Sequence, residues 1–236
     1  MYKRLLGYNI FSGSKEELLN EIIDKKKVNI ISGNPEVLNH GLNNELLYKS
    51  FNSNDAIIIP DGIGTIIASK LYGNPIQEKI AGIEVMDLVL DYCNKKRKNI
   101  YLLGANENIV KICSSKINKK YSFINVVGTR NGFFDLNNCE DIIKDIKTKK
   151  TYVLFVAMGA PRQELFIEKY KDKLECSIFM GVGGSFDVIS GEVERAPKWM
   201  ISLGLEWFYR VIKEPWRVKR LKSIPKFIIK CWKEKK

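Results

Sequence analysis

Short apolar segments alternate with helical patterns through residues 1–190 of the chain. Seven apolar segments have the length and composition of strands, at 5–11, 28–32, 56–60, 99–104, 124–128, 152–157 and 177–182. Between them, helical patterns cover 15–25, 35–49, 64–71, 83–95, 108–119, 139–147 and 163–171. This alternation predicts a layered α/β domain with a mostly parallel sheet.

The composition excludes several other classes of protein. Of the 236 residues, 45% are hydrophobic and 28% are charged, so the chain can form a core and is not disordered. Its longest apolar run, 153–160, is far shorter than the roughly 18–20 residues that cross a bilayer. No secretory signal is expected, because polar residues follow the first apolar stretch at once. The five cysteines are widely spaced without a C-x-x-C pair, which predicts reduced thiols in a cytoplasmic protein.

Positive charge is concentrated near the C-terminal end of the chain. The formal net charge is +12, and residues 195–236 hold thirteen basic residues against three acidic ones. All four tryptophans lie in the same stretch, and its apolar residues recur at helical spacing on either side of Pro215. We call 195–236 the tail, and predict that it is a separate functional element made of short amphipathic helices, attached to a domain at 1–194.

The tail has three possible roles. Basic residues beside Trp and Phe suit an anionic membrane surface, where aromatic rings lie among the lipid headgroups. The same charge suits nucleic acid. Apolar residues at helical spacing also suit packing on the chain's own domain. Docking at a membrane surface is the interpretation we favour.

The loops that follow the predicted strands carry glycines and polar side chains. In a parallel sheet these loops meet at one edge, where ligands bind. Asp61 follows a strongly apolar strand and precedes Gly62. It is placed either to cap the next helix or to remove a proton from an attacking hydroxyl as a general base. The residue pattern alone leaves both roles open.

The glycine-rich segment 181–184 resembles a phosphate-binding loop, in which backbone N–H groups approach an anion. It is not a full G-x-G-x-x-G pattern, and the chain has no Walker, H-E-x-x-H or G-x-S-x-G motif. The sequence therefore does not favour nicotinamide chemistry, P-loop hydrolysis or serine-hydrolase chemistry. The chain also has no Asp-x-Asp pair, so we expect cationic side chains or backbone donors, rather than a metal ion, to stabilise a leaving diphosphate.

Three arginines in the tail are spaced by seven and three residues, at Arg210, Arg217 and Arg220. They share one helical face if Pro215 only kinks the segment. Guanidinium groups in register can bind a diphosphate through paired hydrogen bonds. The alternative is that they are three solvated surface residues.

Together these motifs resemble the WecG/TagA/CpsF family of bacterial glycosyltransferases. The resemblance runs over essentially the whole chain, through segments 60–62, 81–82, 101–105, 127–129, 155–164, 180–187, 195–197, 204–210 and 214–217. The last three blocks are the most specific: M-G-V-G-G-S-F-D, R-A-P, and G-L-E-W-F-Y-R with E-P-W-R.

The resemblance implies a Rossmann-like domain that transfers an N-acetylmannosamine-type sugar from UDP to undecaprenyl-diphosphate-linked N-acetylglucosamine, with inversion at the anomeric carbon. It implies no metal and no cofactor, and a tail that meets the membrane and closes the site. The partners would be the UDP-sugar donor, the lipid-linked acceptor and an anionic membrane surface, with no nucleic acid. The enzyme would be cytoplasmic and peripherally associated with the inner face of the cell membrane. Whether it forms a homo-oligomer is left open.

The resemblance also implies catalytic roles by position. Asp61 would be the general base on the acceptor's 4-hydroxyl, with Ser32 near it. Lys79 stands where relatives commonly carry arginine. A phosphate would therefore meet a single ammonium charge instead of the paired N–H donors of a guanidinium group. The tail arginines that would engage the diphosphate and the lipid are Arg210, Arg217 and Arg220.

Substrate-binding roles are implied in the same way. Asn34 belongs to the same pocket edge as the base, and Gln163 would help to hold the donor. Gly183, Gly184 and Asp187 would line the nucleotide end. Two alternatives remain: a transferase of the same family that uses another UDP-sugar or acceptor in capsule or exopolysaccharide synthesis, and a nucleotide- or nucleic-acid-binding module without catalysis.

Overall fold

The fold is seen in a computed structural model that describes residues 1–215, 218–221 and 223–235, with Lys219, Arg220 and Lys235 described by their backbone only. Its strands are β1 (Tyr2–Leu5), β2 (Tyr8–Phe11), β3 (Val28–Ser32), β4 (Ala56–Ile59), β5 (Asn99–Gly104), β6 (Asn125–Arg130), β7 (Val153–Ala157) and β8 (Ile178–Gly181). They form one eight-stranded sheet in the order β1-β2-β4-β3-β8-β7-β5-β6. Only β1 and β2 pair antiparallel among these strands, so the predicted α/β class with a mostly parallel sheet is confirmed.

The first predicted strand, 5–11, is wrong, because this stretch contains a turn. β1 and β2 form a hairpin whose two connecting residues, Leu6 and Gly7, have φ angles of 50° and 77°. Two positive φ angles in a row make the tight turn whose twist matches that of paired strands. The apolar pattern continues through the turn because Leu6 is buried, so the pattern alone does not reveal the reversal.

The helices are α1 (Lys15–Asp24), α2 (Pro35–Leu42), α3 (Glu45–Phe51), α4 (Ile63–Tyr72), α5 (Gly82–Lys96), α6 (Glu107–Lys120), α7 (Glu140–Thr148), α8 (Arg162–Tyr170), α9 (Ser185–Ser190), α10 (Lys198–Ser202), α11 (Glu206–Lys213), α12 (Val218–Leu221) and α13 (Ser223–Lys235). The single helix predicted at 35–49 is two helices. The side chain of Asn44 accepts a hydrogen bond from the N–H of Leu47 at 3.1 Å and so starts α3 separately.

The central strands consist mostly of buried apolar residues because helices cover both faces of the sheet. Alternate residues of β3 and β4 enter different parts of the core. Ile30 and Ile57 join a cluster with side chains of α1, α5 and α6, whereas Ile31 and Ile58 join one with side chains of α2, α4 and α13. With both faces covered, the polar groups at the carboxyl ends of the strands are left as the place where a ligand can reach the sheet.

The tail divides into two parts. α13 packs against α4 and α2, and its Phe227 and Cys231 are fully buried. α10 and α11 instead leave large apolar side chains in solvent, including Trp199, which is 61% exposed, and Phe208 and Ile212. Packing on the chain's own domain therefore accounts for α13 and, in α10, for Met200, but leaves Trp199, Phe208 and Ile212 of α10 and α11 uncovered. No helix within the described residues is long and apolar enough to cross a membrane.

Candidate active site

A cleft of about 830 Å³ opens at the carboxyl ends of the parallel strands. Its walls come from the loops after β3, β4, β5, β6, β7 and β8, from the loop before α5, and from the tail, which contributes residues of α11, α12 and α13. The elements that follow six strands thus meet at one edge, as expected for a parallel sheet. The predicted site residues that line this cleft are Ser32, Asn34, Asp61, Lys79, Gln163, Gly183, Gly184, Asp187 and Arg210.

Ser32 and Asp61 lie at the ends of the neighbouring strands β3 and β4. The Ser32 hydroxyl donates a hydrogen bond of 2.6 Å to Oδ2 of Asp61. The two strand ends come together because Gly33 has no side chain: a Cβ added there would lie 2.5 Å from the carbonyl oxygen of Ile59. A buried hydroxyl then fixes the loop, since Thr65 Oγ1 donates to the carbonyl of Gly33 at 2.6 Å.

Asn34 orients this pair from the start of the next helix. Its side-chain oxygen caps α2 by accepting from the N–H groups of Glu36 and Val37, both at 3.0 Å. Its amide nitrogen donates to Ser32 Oγ at 2.9 Å. With that oxygen accepting from Asn34, the Ser32 proton is directed to the Asp61 carboxylate. Asn34 is therefore both a helix cap and a positioning group, and the sequence pattern alone did not reveal this double role.

Asp61 does not cap the helix that follows it. The residue before α4 is Gly62, which makes no side-chain capping bond. Burial raises the pKa of Asp61, while the Ser32 hydrogen bond and the nearby charges of Lys79 and Arg210 act in the opposite direction. The carboxylate lies near the first turn of α5, because a Cβ added at Gly82 would be 3.5 Å from its Oδ2. A partly desolvated carboxylate at the wall of a cleft is suited to accept a proton from a bound hydroxyl.

Lys79 and Arg210 both line the cleft but come from different elements. The loop before α5 is held against β4 because Ile80 donates its N–H to the carbonyl of Pro60 at 3.0 Å, which brings Lys79 beside Asp61. Arg210 comes from α11 in the tail. Glu206 lies between the two cations, with Oε2 at 3.5 Å from Lys79 Nζ and Oε1 at 3.5 Å from Arg210 Nη2.

Gln163 joins α8 to the glycine-rich loop after β8. Its side-chain oxygen accepts from the N–H of Gly183 at 3.1 Å, and its amide nitrogen donates to Glu164 Oε1 at 2.8 Å. Glu164 is buried, and burial raises its pKa to about 7. The second oxygen of Glu164 has no hydrogen-bond partner among the described residues. Glu164 therefore fixes which end of the Gln163 amide faces the loop.

Phe133 forms part of the rim of the cleft and is 81% exposed. It also lines a neighbouring cavity of about 620 Å³ that shares several residues with the cleft. Arg162 donates hydrogen bonds to the carbonyls of Gly132 and Phe134, which flank Phe133. The aromatic ring is thus presented to solvent by a loop that is itself held in place.

Some predicted residues fall outside this description. Arg217 lies outside the described residues, and the side chain of Arg220 is not described. Sequence reasoning also missed Glu164, Phe133 and Glu206. Each had a signal: Glu164 follows Gln163 in a motif already singled out, Phe133 follows a strand end, and Glu206 is one of only three acidic residues in the basic stretch 195–236.

The cleft combines a carboxylate that can act as a base, cations that can bind an anion, and a glycine-rich loop. Within the described residues, no group of three or more His, Cys, Asp or Glu side chains is arranged to hold a metal ion. The arrangement suits the attack of a hydroxyl on a substrate whose leaving group is anionic.

Comparison with known proteins gives consistent matches. The model of the glycosyl transferase WecG/TagA/CpsF family matches residues 3–236. The chain is 41% identical over 215 residues to the N-acetylglucosaminyldiphosphoundecaprenol N-acetyl-beta-D-mannosaminyltransferase of Bacillus subtilis (strain 168), which covers 91% of this chain and 83% of the relative. A protein of the same name from Bacillus spizizenii is 35% identical, over 84% of this chain and 76% of the relative. Another, from Staphylococcus aureus (strain MW2), is 34% identical, over 88% of this chain and 80% of the relative.

Proposed function

This chain belongs to the glycosyl transferase WecG/TagA/CpsF family, and from that membership we propose that it transfers N-acetylmannosamine from UDP-N-acetylmannosamine to undecaprenyl-diphosphate-linked N-acetylglucosamine. The acceptor and the transferred sugar are those in the names of relatives at 34–41% identity. The product is the disaccharide of a wall teichoic acid linkage unit. The acceptor atom is the 4-hydroxyl, and the reaction inverts the anomeric carbon of the donor.

Asp61 acts as the general base. The acceptor's 4-hydroxyl gives its proton to the Asp61 carboxylate as its oxygen attacks the anomeric carbon, and the bond from that carbon to the UDP oxygen breaks. Attack from the face opposite the leaving group inverts the configuration. The proposal is supported by the position of Asp61 on the cleft wall and by the hydrogen bond that its Oδ2 accepts from Ser32, which orients the carboxylate.

Cationic side chains stabilise the departing diphosphate without a metal ion. Lys79 and Arg210 both line the cleft and are close enough to Asp61 to influence its pKa. Positive groups that are already in place stabilise negative charge as it develops on the leaving oxygen. Arg217 and Arg220 complete this set in the proposal, as arginines of the tail that reach the diphosphate and the lipid.

The nucleotide lies toward β8. The backbone N–H of Gly184 suits a phosphate, because no side chain keeps an anion away from it, and Gly183 beside it also lines the cleft. Gln163 shapes that loop through its bond to the N–H of Gly183. Asp187 lines the cleft, and its carboxylate can accept a hydrogen bond from the nucleotide's base. Phe133 lies at the rim, where its aromatic ring can stack on that nucleotide base.

The tail holds the enzyme at the inner face of the cell membrane. Its basic residues are attracted to anionic lipids, and the uncovered apolar side chains of α10 and α11 can enter the interface. Because α11 also carries Arg210 and Glu206 into the cleft, a membrane-bound α11 would lie beside a lipid-linked acceptor. The domain at 1–194 is then the catalytic body and 195–236 its docking and closing appendage.

The observation that carries the proposal is the Ser32–Asp61 pair in the same cleft as Lys79 and Arg210. The test is UDP release by the full chain from UDP-N-acetylmannosamine with a short-chain lipid-diphosphate N-acetylglucosamine, with and without EDTA. We expect acceptor-dependent release that survives EDTA and falls by about 10²–10⁴-fold in Asp61→Asn. The matched control is Asp172→Asn, which removes an exposed carboxylate elsewhere.

The outcomes separate the parts of the proposal. No release with this donor, but release with another UDP-sugar, would overturn the donor and favour a capsule or exopolysaccharide transferase. Loss of release in EDTA would overturn metal independence. Full activity in Asp61→Asn would overturn the base assignment, provided that its thermal unfolding matches that of the unchanged protein.

A further inference from the structure

Glu206 lies where two anions would compete for the same cations. Its carboxylate is 3.5 Å from Lys79 Nζ and 3.5 Å from Arg210 Nη2, and all three side chains line the cleft. A diphosphate that reaches Lys79 and Arg210 brings negative charge beside the Glu206 carboxylate. Like charges in a partly desolvated site repel, so one of the two anions has to withdraw.

Arg195 offers Glu206 a second position. Its Nε is buried, has no hydrogen-bond partner among the described residues, and lies 3.8 Å from Glu206 Oε1. A hydrogen bond needs an N···O distance of about 2.9 Å, so a shift of about 1 Å would complete it. Arg195 itself is held in place, because its Nη2 contacts Glu84 Oε1 at 2.8 Å and Glu84 also pairs with Lys15.

We propose that Glu206 is a mobile counterion of the diphosphate site, which competes with the donor's diphosphate for Lys79 and Arg210 and shifts onto Arg195 when the diphosphate takes them. This inference rests on the proposed function, because it takes the ligand to be a nucleoside diphosphate. Glu206 returns to the two cations as the product leaves, which favours release of UDP. It is a positioning residue rather than a catalytic one, since it acts through Lys79 and Arg210.

Glu206 lies in the first turn of α11, so this shift links diphosphate binding to the tail. The same helix carries Trp207 and Phe208, which are partly exposed. A change in the partners of Glu206 therefore alters how the start of α11 is tied to the loop before α5.

The test is UDP binding to the full chain by isothermal titration calorimetry. Glu206→Gln removes the competing charge and keeps the shape of the side chain, so UDP should bind about five- to tenfold more tightly, equivalent to about 1 kcal/mol of removed competition. Uridine, which has no phosphate, should bind equally to both proteins. The matched control is Glu194→Gln, which removes an exposed carboxylate beside Lys213 at the other end of α11 and should leave UDP affinity unchanged.

Arg195→Lys tests the second position. Lysine keeps the positive charge near Glu84 but lacks Nε, so Glu206 should stay on the cleft cations and UDP should bind about threefold more weakly. In the Glu206→Gln background the same change should have no effect, since there is no carboxylate left to move. Glu206→Asp, with a shorter reach, should give an intermediate gain in affinity and serves as a second variant if Glu206→Gln does not fold.

The results distinguish this inference from the proposed function. If the unchanged protein releases UDP from the donor but binds no UDP, only the counterion role fails, and if it neither releases nor binds UDP, both are overturned. If it binds UDP but Glu206→Gln and Glu206→Asp bind it no more tightly, only the counterion role fails. Equal effects of Arg195→Lys in both backgrounds would overturn the shift onto Arg195.

Discussion

Ser32 and Asp61 are 29 residues apart in the chain, yet the hydroxyl of Ser32 lies 2.6 Å from Oδ2 of Asp61. The contact arises because β3 and β4 are parallel neighbours, with Ser32 paired to Ile59 in the register. The loops after the two strands therefore begin side by side. Because Asn34 donates to the same hydroxyl, the three residues form a short chain of hydrogen bonds that ends on the carboxylate.

Removing the Ser32 hydroxyl should change the pH dependence of the reaction. The hydrogen bond from Ser32 lowers the pKa of Asp61 against the effect of burial, so Ser32→Ala should raise that pKa further. The base must be ionised to accept a proton, so the acid limb of the kcat/KM profile should move to higher pH. At neutral pH we expect the rate to fall by about three- to tenfold, as for the loss of one hydrogen bond.

Ser32→Thr is the matched control for that change, because it keeps the hydroxyl. Its acid limb should coincide with that of the unchanged enzyme. An acid limb that does not move in Ser32→Ala would contradict the role of this hydrogen bond.

Glu164→Gln should make the protein more stable above neutral pH. Burial raises the pKa of Glu164 to about 7 in the folded state, from an ordinary value of 4.5. The stability that this group contributes is complete below its unfolded pKa and is lost as the pH rises through about 7. The free energy of unfolding of the variant should therefore exceed that of the unchanged protein by on the order of 2–3 kcal/mol at pH 8 and should equal it near pH 4.

Denaturant unfolding of both proteins from pH 4 to pH 8 measures this difference. Glu168→Gln is not a suitable control because Glu168 pairs with Lys171, whereas Glu175→Gln removes an exposed carboxylate. A gain that is the same at every pH would show that Glu164 does not titrate in this range.

Lys79→Met should weaken binding of the donor. The change removes a cation from the cleft wall, so KM for the UDP-sugar should rise by about tenfold or more, equivalent to the loss of a charge-assisted contact. Lys79→Arg keeps the charge and should stay within about threefold of the unchanged enzyme. Lys70→Met, which removes an exposed cation from α4, is the control. An unchanged KM in Lys79→Met would remove Lys79 from the diphosphate site.

Trp199→Ser combined with Phe208→Ser should reduce binding to anionic lipid vesicles. Both side chains are exposed in the tail, and each can bury apolar surface in the interface. Vesicle sedimentation should show a loss of about tenfold or more in the partition coefficient. Phe123→Ser removes an exposed aromatic residue before β6, at the opposite edge of the sheet from the cleft, and should bind vesicles normally. Equal binding by all of these proteins would contradict docking through α10 and α11.

The tail shows where prediction from the sequence stopped. The spacing of Phe227, Ile228, Cys231 and Trp232 indicates an amphipathic helix, and all four residues lie in α13. The same kind of spacing in α11 gives a helix with no buried residue. A repeated apolar pattern establishes that a helix has an apolar face, but water, lipid and protein neighbours are not encoded in that pattern.

The sequence by itself determined the α/β class, most strand and helix positions, and the loops in which the site residues lie, because these depend on local periodicity and on residues near one another in the chain. Tertiary structure decided the Leu6–Gly7 turn, the Ser32–Asp61 contact and the place of Glu206 between Lys79 and Arg210. Lys79 and Glu206 are more than 100 residues apart. Their contact depends on how α11 packs against the loop before α5, and no local pattern in one sequence records which distant surfaces meet.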